Sequence, residues 1–117
     1  MRFIAVAVIG LGAAAVGCST PDTSGKLKST TSAIEAARSA GAENVPAAKQ
    51  LLDQASAYLA TAQSQISKGD AEGAMRNLTL ASAAADDAKI TAKEATNRAK
   101  ADALQQQIAE LKAKLGK

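Results

Sequence analysis

The sequence predicts an all-α protein: an antiparallel helical hairpin with a short helix before it and a long C-terminal helix that can form a coiled coil. Apolar residues recur at spacings of three and four over most of the chain after residue 29, which is the period of a helix packed along one face. Glycine and proline interrupt this part of the chain only at 41–46, at 69–73 and at Gly116, so they mark the helix boundaries.

Residues 1–17 have the composition of a secretory signal peptide. Arg2 supplies a positive charge, and residues 3–16 form an unbroken apolar run. A membrane-spanning helix needs about 20 apolar residues, and this run is shorter. We therefore expect the segment to direct export and to be absent from the mature protein.

The apolar run ends in Ala15-Val16-Gly17-Cys18, which resembles the lipobox of bacterial lipoproteins. In that family the cysteine thiol receives a diacylglyceryl group, and a peptidase then cuts before the cysteine, whose amine is usually acylated as well. The resemblance implies cleavage between Gly17 and Cys18 and a lipid anchor on Cys18. The alternative is an ordinary signal peptide cut near Ala15, which leaves Cys18 as a free thiol.

The residues after Cys18 predict where the protein resides and how it is held there. Ser19 stands where an Asp tends to retain Gram-negative lipoproteins at the inner membrane, so the resemblance implies the periplasmic face of the outer membrane, with membrane lipid as the partner of the anchor. Residues 18–28 are mostly polar and include Pro21 and Gly25. This composition predicts a flexible tether.

Residues 29–93 are the predicted alanine-rich hairpin domain. Its first helix is expected to begin near Ser29 and to stop at Gly41, and Pro46 suits the first turn of the second helix. Gly69 offers a left-handed cap, and Asp70 can accept the first free N–H groups of a third helix. Gly69-Asp70 is therefore predicted to be a tight turn between two helices.

Alanine supplies most of the apolar positions of the third helix. The sixteen large apolar residues after Cys18 are too few for a thick core, so the helices are expected to pack closely through small side chains. Three i,i+4 pairs, Glu72→Arg76, Glu94→Arg98 and Glu110→Lys114, support a long solvated helix. The predicted heptad seam consists of Ala74, Leu78, Ala81, Ala85, Ala88, Ala92, Ala95 and Ala99.

Residues 94–117 are predicted to project beyond the hairpin, because no other segment remains to cover them. Fully helical, residues 94–115 would span about 33 Å. Leu104, Ile108, Leu111 and Leu115 repeat at four, three and four, out of phase with the alanine seam. This seam favours a parallel two-stranded coiled coil; the alternative is a terminal helix that packs on its own hairpin or frays.

Composition excludes several classes of function. The chain has no His and one Cys, which excludes His-containing metal sites, Ser–His or Cys–His nucleophile pairs and disulfide frameworks. The formal net charge is +3 and aromatic residues are 2% of the chain, so nucleic-acid binding is not expected. We expect no enzyme, no catalytic residue, no metal and no cofactor besides the covalent lipid.

Five short elements follow one another within residues 33–103: Ala36-Ala37-Arg38-Ser39-Ala40-Gly41-Ala42, Pro46-Ala47-Ala48, Leu52-Asp53-Gln54-Ala55, Lys68-Gly69-Asp70-Ala71 and Asp86-Asp87-Ala88. In this order they resemble an uncharacterised bacterial lipoprotein domain of alanine-rich helices, a likeness that covers about 70 of the 117 residues. In longer relatives the equivalent of 103–114 leads into an OmpA-like peptidoglycan-binding domain.

Lys117 gives a weaker resemblance to the major murein lipoproteins, which combine a lipidated cysteine, an alanine-rich helix and a last lysine joined to peptidoglycan. The expected function is that of a lipid-anchored, non-enzymatic scaffold that holds the helical domain in the periplasm for association with itself or with an envelope partner. The alternative function is a tether from the membrane to peptidoglycan through Lys117.

Overall fold

The computed structural model describes residues 22–116, and it confirms the all-α prediction. Three α-helices, α1 (Thr23–Ser39), α2 (Pro46–Ser67) and α3 (Ala71–Leu115), account for nearly all of these residues, and no strand occurs among them. A short 3-10 turn, Ala42–Asn44, links α1 to α2. The short first helix, the α2–α3 hairpin and the 45-residue last helix all follow the sequence pattern.

The first helix begins earlier than the sequence predicted, so the expected tether over residues 18–28 is too long. Asp22 caps α1, because its carboxylate accepts a hydrogen bond from the Gly25 N–H at 3.0 Å and its carbonyl accepts one from Lys26. Leu27, inside the predicted tether, packs against the core. Local capping and a distant packing partner together extend the helix to Thr23.

Gly69 and Asp70 form the predicted turn between α2 and α3. Gly69 has φ +81°, and the amides of Gly69 and Asp70 bond back to Ile66 (3.1 Å) and Gln65 (2.9 Å), the Schellman pattern that satisfies the last carbonyls of a helix. The Asp70 carboxylate accepts from the Gly73 N–H at 2.9 Å. A Cβ on Gly73 would collide with that carboxylate, so a residue without a side chain suits this position.

The three helices form an up-down-up bundle in which α1 runs in the same direction as α3. The buried Thr30 hydroxyl donates to the Leu78 carbonyl at 3.3 Å, and further along α1 Ile34 belongs to the same buried cluster as Ala85 and Ala88. Later residues of α1 therefore lie beside later residues of α3, so the two helices are parallel. The beginning of α1 consequently lies beside the α2–α3 turn.

The core of the bundle consists largely of alanine. Its large buried members are Ile34, Leu52 and Leu78. Backbones come close where only methyl groups separate the helices, so each pair of facing helices is held by many short contacts rather than by long side chains. The fully buried alanines are Ala37, Ala42, Ala48, Ala55, Ala62, Ala74, Ala81, Ala85, Ala88 and Ala92.

Of the three predicted ion pairs on α3, only Arg76 with Glu72 is formed, at 3.1 Å. Arg98 and Lys114 make no ion pair with a described residue. Their expected partners lie one turn away on a helix surface fully open to water, where such a pair contributes only about 0.3–0.5 kcal/mol. The charged groups of Arg98 and Lys114 are not within ion-pair distance of Glu94 and Glu110.

Candidate helical interaction surface

The part of α3 that extends past the bundle is here called the arm, residues 96–116. Ala92 is the last fully buried residue of α3, Ala95 is half-buried, and every residue from Thr96 to Gly116 is exposed. The helical part of the arm is about 30 Å long at 1.5 Å per residue. Ala99, assigned to the alanine seam by its spacing, lies in the arm and is exposed.

Four large apolar residues lie along one face of the arm, and they are here called the arm seam. Leu104, Ile108, Leu111 and Leu115 have exposed fractions of 58%, 51%, 58% and 85%. Residues three and four apart on a helix are neighbours, so the four side chains form one continuous stripe. No described residue from elsewhere in the chain covers this stripe, and large apolar side chains in a row mark an interaction site more often than a solvated face.

Basic side chains border the arm seam on both sides, a feature that sequence reasoning missed. With Leu104 and Leu111 at d, the positions next to the seam include Arg98 and Lys112 on one side and Lys100 and Lys114 on the other. The signal was present in the sequence. It becomes visible only when the charged residues are sorted by heptad position. Counting i,i+4 pairs instead assigns Arg98 and Lys114 to acidic residues of their own helix.

The two ends of the bundle carry different features. The α2–α3 turn, with Gly69 and Asp70, lies at the same end as Thr23, the first residue of α1. The arm leaves the opposite end. From Ala74, near the level of the beginning of α1, to Gly116 the helix runs about 60 Å.

Four predicted site residues lie outside the described residues: Gly17 and Cys18 at the cleavage site, Ser19 at the sorting position, and Lys117. The lipid anchor, the sorting signal and the wall attachment therefore stay predictions. None of the helices within residues 22–116 combines the length and the apolar character needed to cross a bilayer.

An open depression among the described residues lies on α3, where it is lined by Glu72, Met75, Arg76, Thr79 and Leu80, all belonging to one helix. The pKa of Lys49 is raised because its ammonium donates a 2.8 Å hydrogen bond to the Asp53 carboxylate and is attracted by its charge. Both side chains are exposed on α2, so this is a surface ion pair.

Among residues 22–116, no three Cys, Asp or Glu side chains are grouped closely enough to hold a metal ion. Comparisons with protein-family models, with curated proteins and with solved structures each give no match to this chain. The resemblance of residues 33–103 to an uncharacterised lipoprotein domain therefore stays a prediction.

Proposed function

We propose that this chain is a non-enzymatic, lipid-anchored protein of the cell envelope that presents the arm for association with another helix. The observation that carries the proposal is the arm seam, whose four large apolar side chains are more than half exposed on a helix continuous with the bundle. Because the arm is continuous with the bundle it is already ordered, and the binding of a partner helix therefore costs little conformational entropy.

The anchor in this proposal is the acylated Cys18 on the periplasmic face of the outer membrane. Two or three acyl chains at about 0.8 kcal/mol per buried methylene hold a protein stably, whereas one chain binds marginally. Asp22 caps α1 only four residues after Cys18. Four residues of chain span at most about 14 Å, so the bundle is held close to the bilayer rather than on a long tether.

The direction of the bundle supports presentation away from the membrane. The beginning of α1 lies at the turn end, and the arm leaves the other end. An anchor that precedes α1 therefore places the turn near the lipid and the tip of the arm about 60 Å further along α3. A seam at that distance is accessible to envelope proteins.

The direction of α3 also favours a second candidate function, the covalent attachment of Lys117 to peptidoglycan. Gly116, its neighbour in the sequence, closes the end of α3 that lies furthest from the beginning of α1. Such attachment would connect membrane and wall through the length of the helix. It would add the mass of a muropeptide to the protein that muramidase releases from the wall.

Site-specific photo-cross-linking tests the proposed docking surface. A benzophenone amino acid replaces Gln107, which borders the arm seam, or Gln106, which lies on the opposite face of the same helical turn. We expect irradiation of intact cells to give a discrete adduct of higher mass from position 107 and none from position 106, because only the first side chain faces a partner packed on the seam.

The control is Cys18→Ser, which removes the site of acylation. We expect this variant to leave the membrane fraction and to lose the adduct at position 107. Equal adducts from positions 106 and 107, or no adduct from either, would contradict the proposed docking role of the arm.

A further inference from the structure

The charges around the arm seam are segregated rather than mixed. The residues beside the seam, which are the e and g positions of the heptad, carry only positive or neutral side chains between residues 98 and 114. They are Arg98, Gln105 and Lys112 on one side and Lys100, Gln107 and Lys114 on the other. The acidic residues of the same stretch, Asp102 and Glu110, lie on the face turned away from the seam.

The four cations beside the seam have no ionic partner within residues 22–116. The ion pairs of this part of the chain are Arg38–Glu43, Lys49–Asp53 and Arg76–Glu72, and all three lie on the bundle. The cations of the arm therefore remain available to a partner that packs on the seam.

This charge pattern disfavours a second copy of the chain as the occupant. In a parallel pair each g residue faces the e residue five positions later in the partner helix, which sets Lys93 against Arg98 of the other copy and Lys100 and Lys112 against glutamines. In an antiparallel pair the two lysine-bearing g edges face each other. Neither arrangement forms an interhelical ion pair, and both bring cations together.

A lipid surface fits the seam poorly. A helix that lies in a membrane interface buries a broad apolar face, whereas the arm seam follows only the a and d positions, the narrow stripe typical of a helix–helix contact. Gln105 and Gln107 border the stripe directly, one on each side. The observations favour a helical partner.

We propose that the arm seam binds a helix of a different protein, one whose own apolar stripe is bordered by Glu or Asp. The inference rests on the proposed function in taking the arm seam as the docking surface, and it adds the chemistry of the partner. Leu104, Ile108 and Leu111 supply the apolar contact, while Lys100 and Lys112, on opposite sides of it, select acidic side chains and reject basic ones.

Two synthetic helical peptides provide the probe. Each has Ile at a and Leu at d over three heptads; one carries Glu at every e and g position and the other carries Lys there. The protein is the chain from residue 18 with Cys18→Ser, so binding is measured without a membrane and a failure of anchoring does not affect the result. By fluorescence anisotropy at low salt, we expect the Glu peptide to bind at least about tenfold more tightly than the Lys peptide.

Charge reversal in the protein provides the decisive comparison. Lys100→Glu with Lys112→Glu is expected to invert the preference, so that the Lys peptide binds more tightly. The matched control is Lys28→Glu with Lys68→Glu, which makes the same change of net charge at exposed positions on the bundle and is expected to leave the preference for the Glu peptide unchanged.

Four results would overturn the proposal: equal binding of the two peptides, binding of neither, a dimer of the chain by sedimentation that buries the seam, or binding to phosphatidylglycerol vesicles in place of the Glu peptide. The anchoring part of the proposed function fails separately, if wild-type protein and Cys18→Ser fractionate alike.

Discussion

Replacing Ala85 by Leu is expected to lower the free energy of unfolding by about 3 kcal/mol. Ala85 is fully buried on α3 and belongs to the cluster that joins α1, α2 and α3. The three added carbon atoms have no space between backbones held apart by methyl groups, so the helices must separate and lose contacts along their length. Urea unfolding followed by circular dichroism measures the change.

Ala83→Leu is the matched control for this prediction. Ala83 is exposed on α3, two residues from Ala85, and Leu is nearly as good a helix former as Ala. The control is expected to change the free energy of unfolding by less than about 0.5 kcal/mol. Equal effects at positions 83 and 85 would contradict close packing through alanine.

Leu78→Ala is expected to cost about 3 kcal/mol of the free energy of unfolding. Leu78 is the largest fully buried side chain among the described residues, and it packs with Ala62, Ala74 and Leu27 near the α2–α3 turn. Ala62 and Ala74 cannot reach into the space that the side chain leaves, and larger neighbours such as Leu27 can fill it only in part, so the loss falls within the range for Leu→Ala in a core. Thermal unfolding should show a clear fall in Tm.

Leu111→Ala removes the same side-chain atoms as Leu78→Ala, but from the arm. It therefore distinguishes an effect on docking from an effect on folding. Leu111 is 58% exposed and contacts no part of the bundle core. We expect its loss to change Tm little while it weakens cross-linking from position 107. A fall in Tm as large as that of Leu78→Ala would show that the arm is packed against the chain itself.

Most of the fold could be predicted because its signals are local. Gly69 and Asp70 specify the turn through backbone conformation and capping, and the alanine spacing specifies which face of α3 is buried. The beginning of α1 could not be read in this way. It depends on Leu27 and Thr30 meeting Leu78, about 50 residues away, and a composition with Pro21 and Gly25 favours a tether until that contact is known.

The candidate site was only partly predictable. The spacing of Leu104, Ile108, Leu111 and Leu115 predicted the stripe, and the structure shows it uncovered. The ion pairs expected for Arg98 and Lys114 are not formed, because water solvates exposed charges on a helix nearly as well as an i,i+4 partner does. The long solvated helix that these pairs predicted is nevertheless present. Three-dimensional contacts were needed to show which cations remain available to a partner.

The intact mass of the natural protein, purified from its own membranes, tests most directly the claim that this chain is a lipid-anchored envelope protein. We predict a polypeptide that begins at Cys18 and carries a diacylglyceryl group together with an amide-linked acyl chain. A polypeptide that begins at another residue, or one that carries no fatty acyl mass, would contradict it.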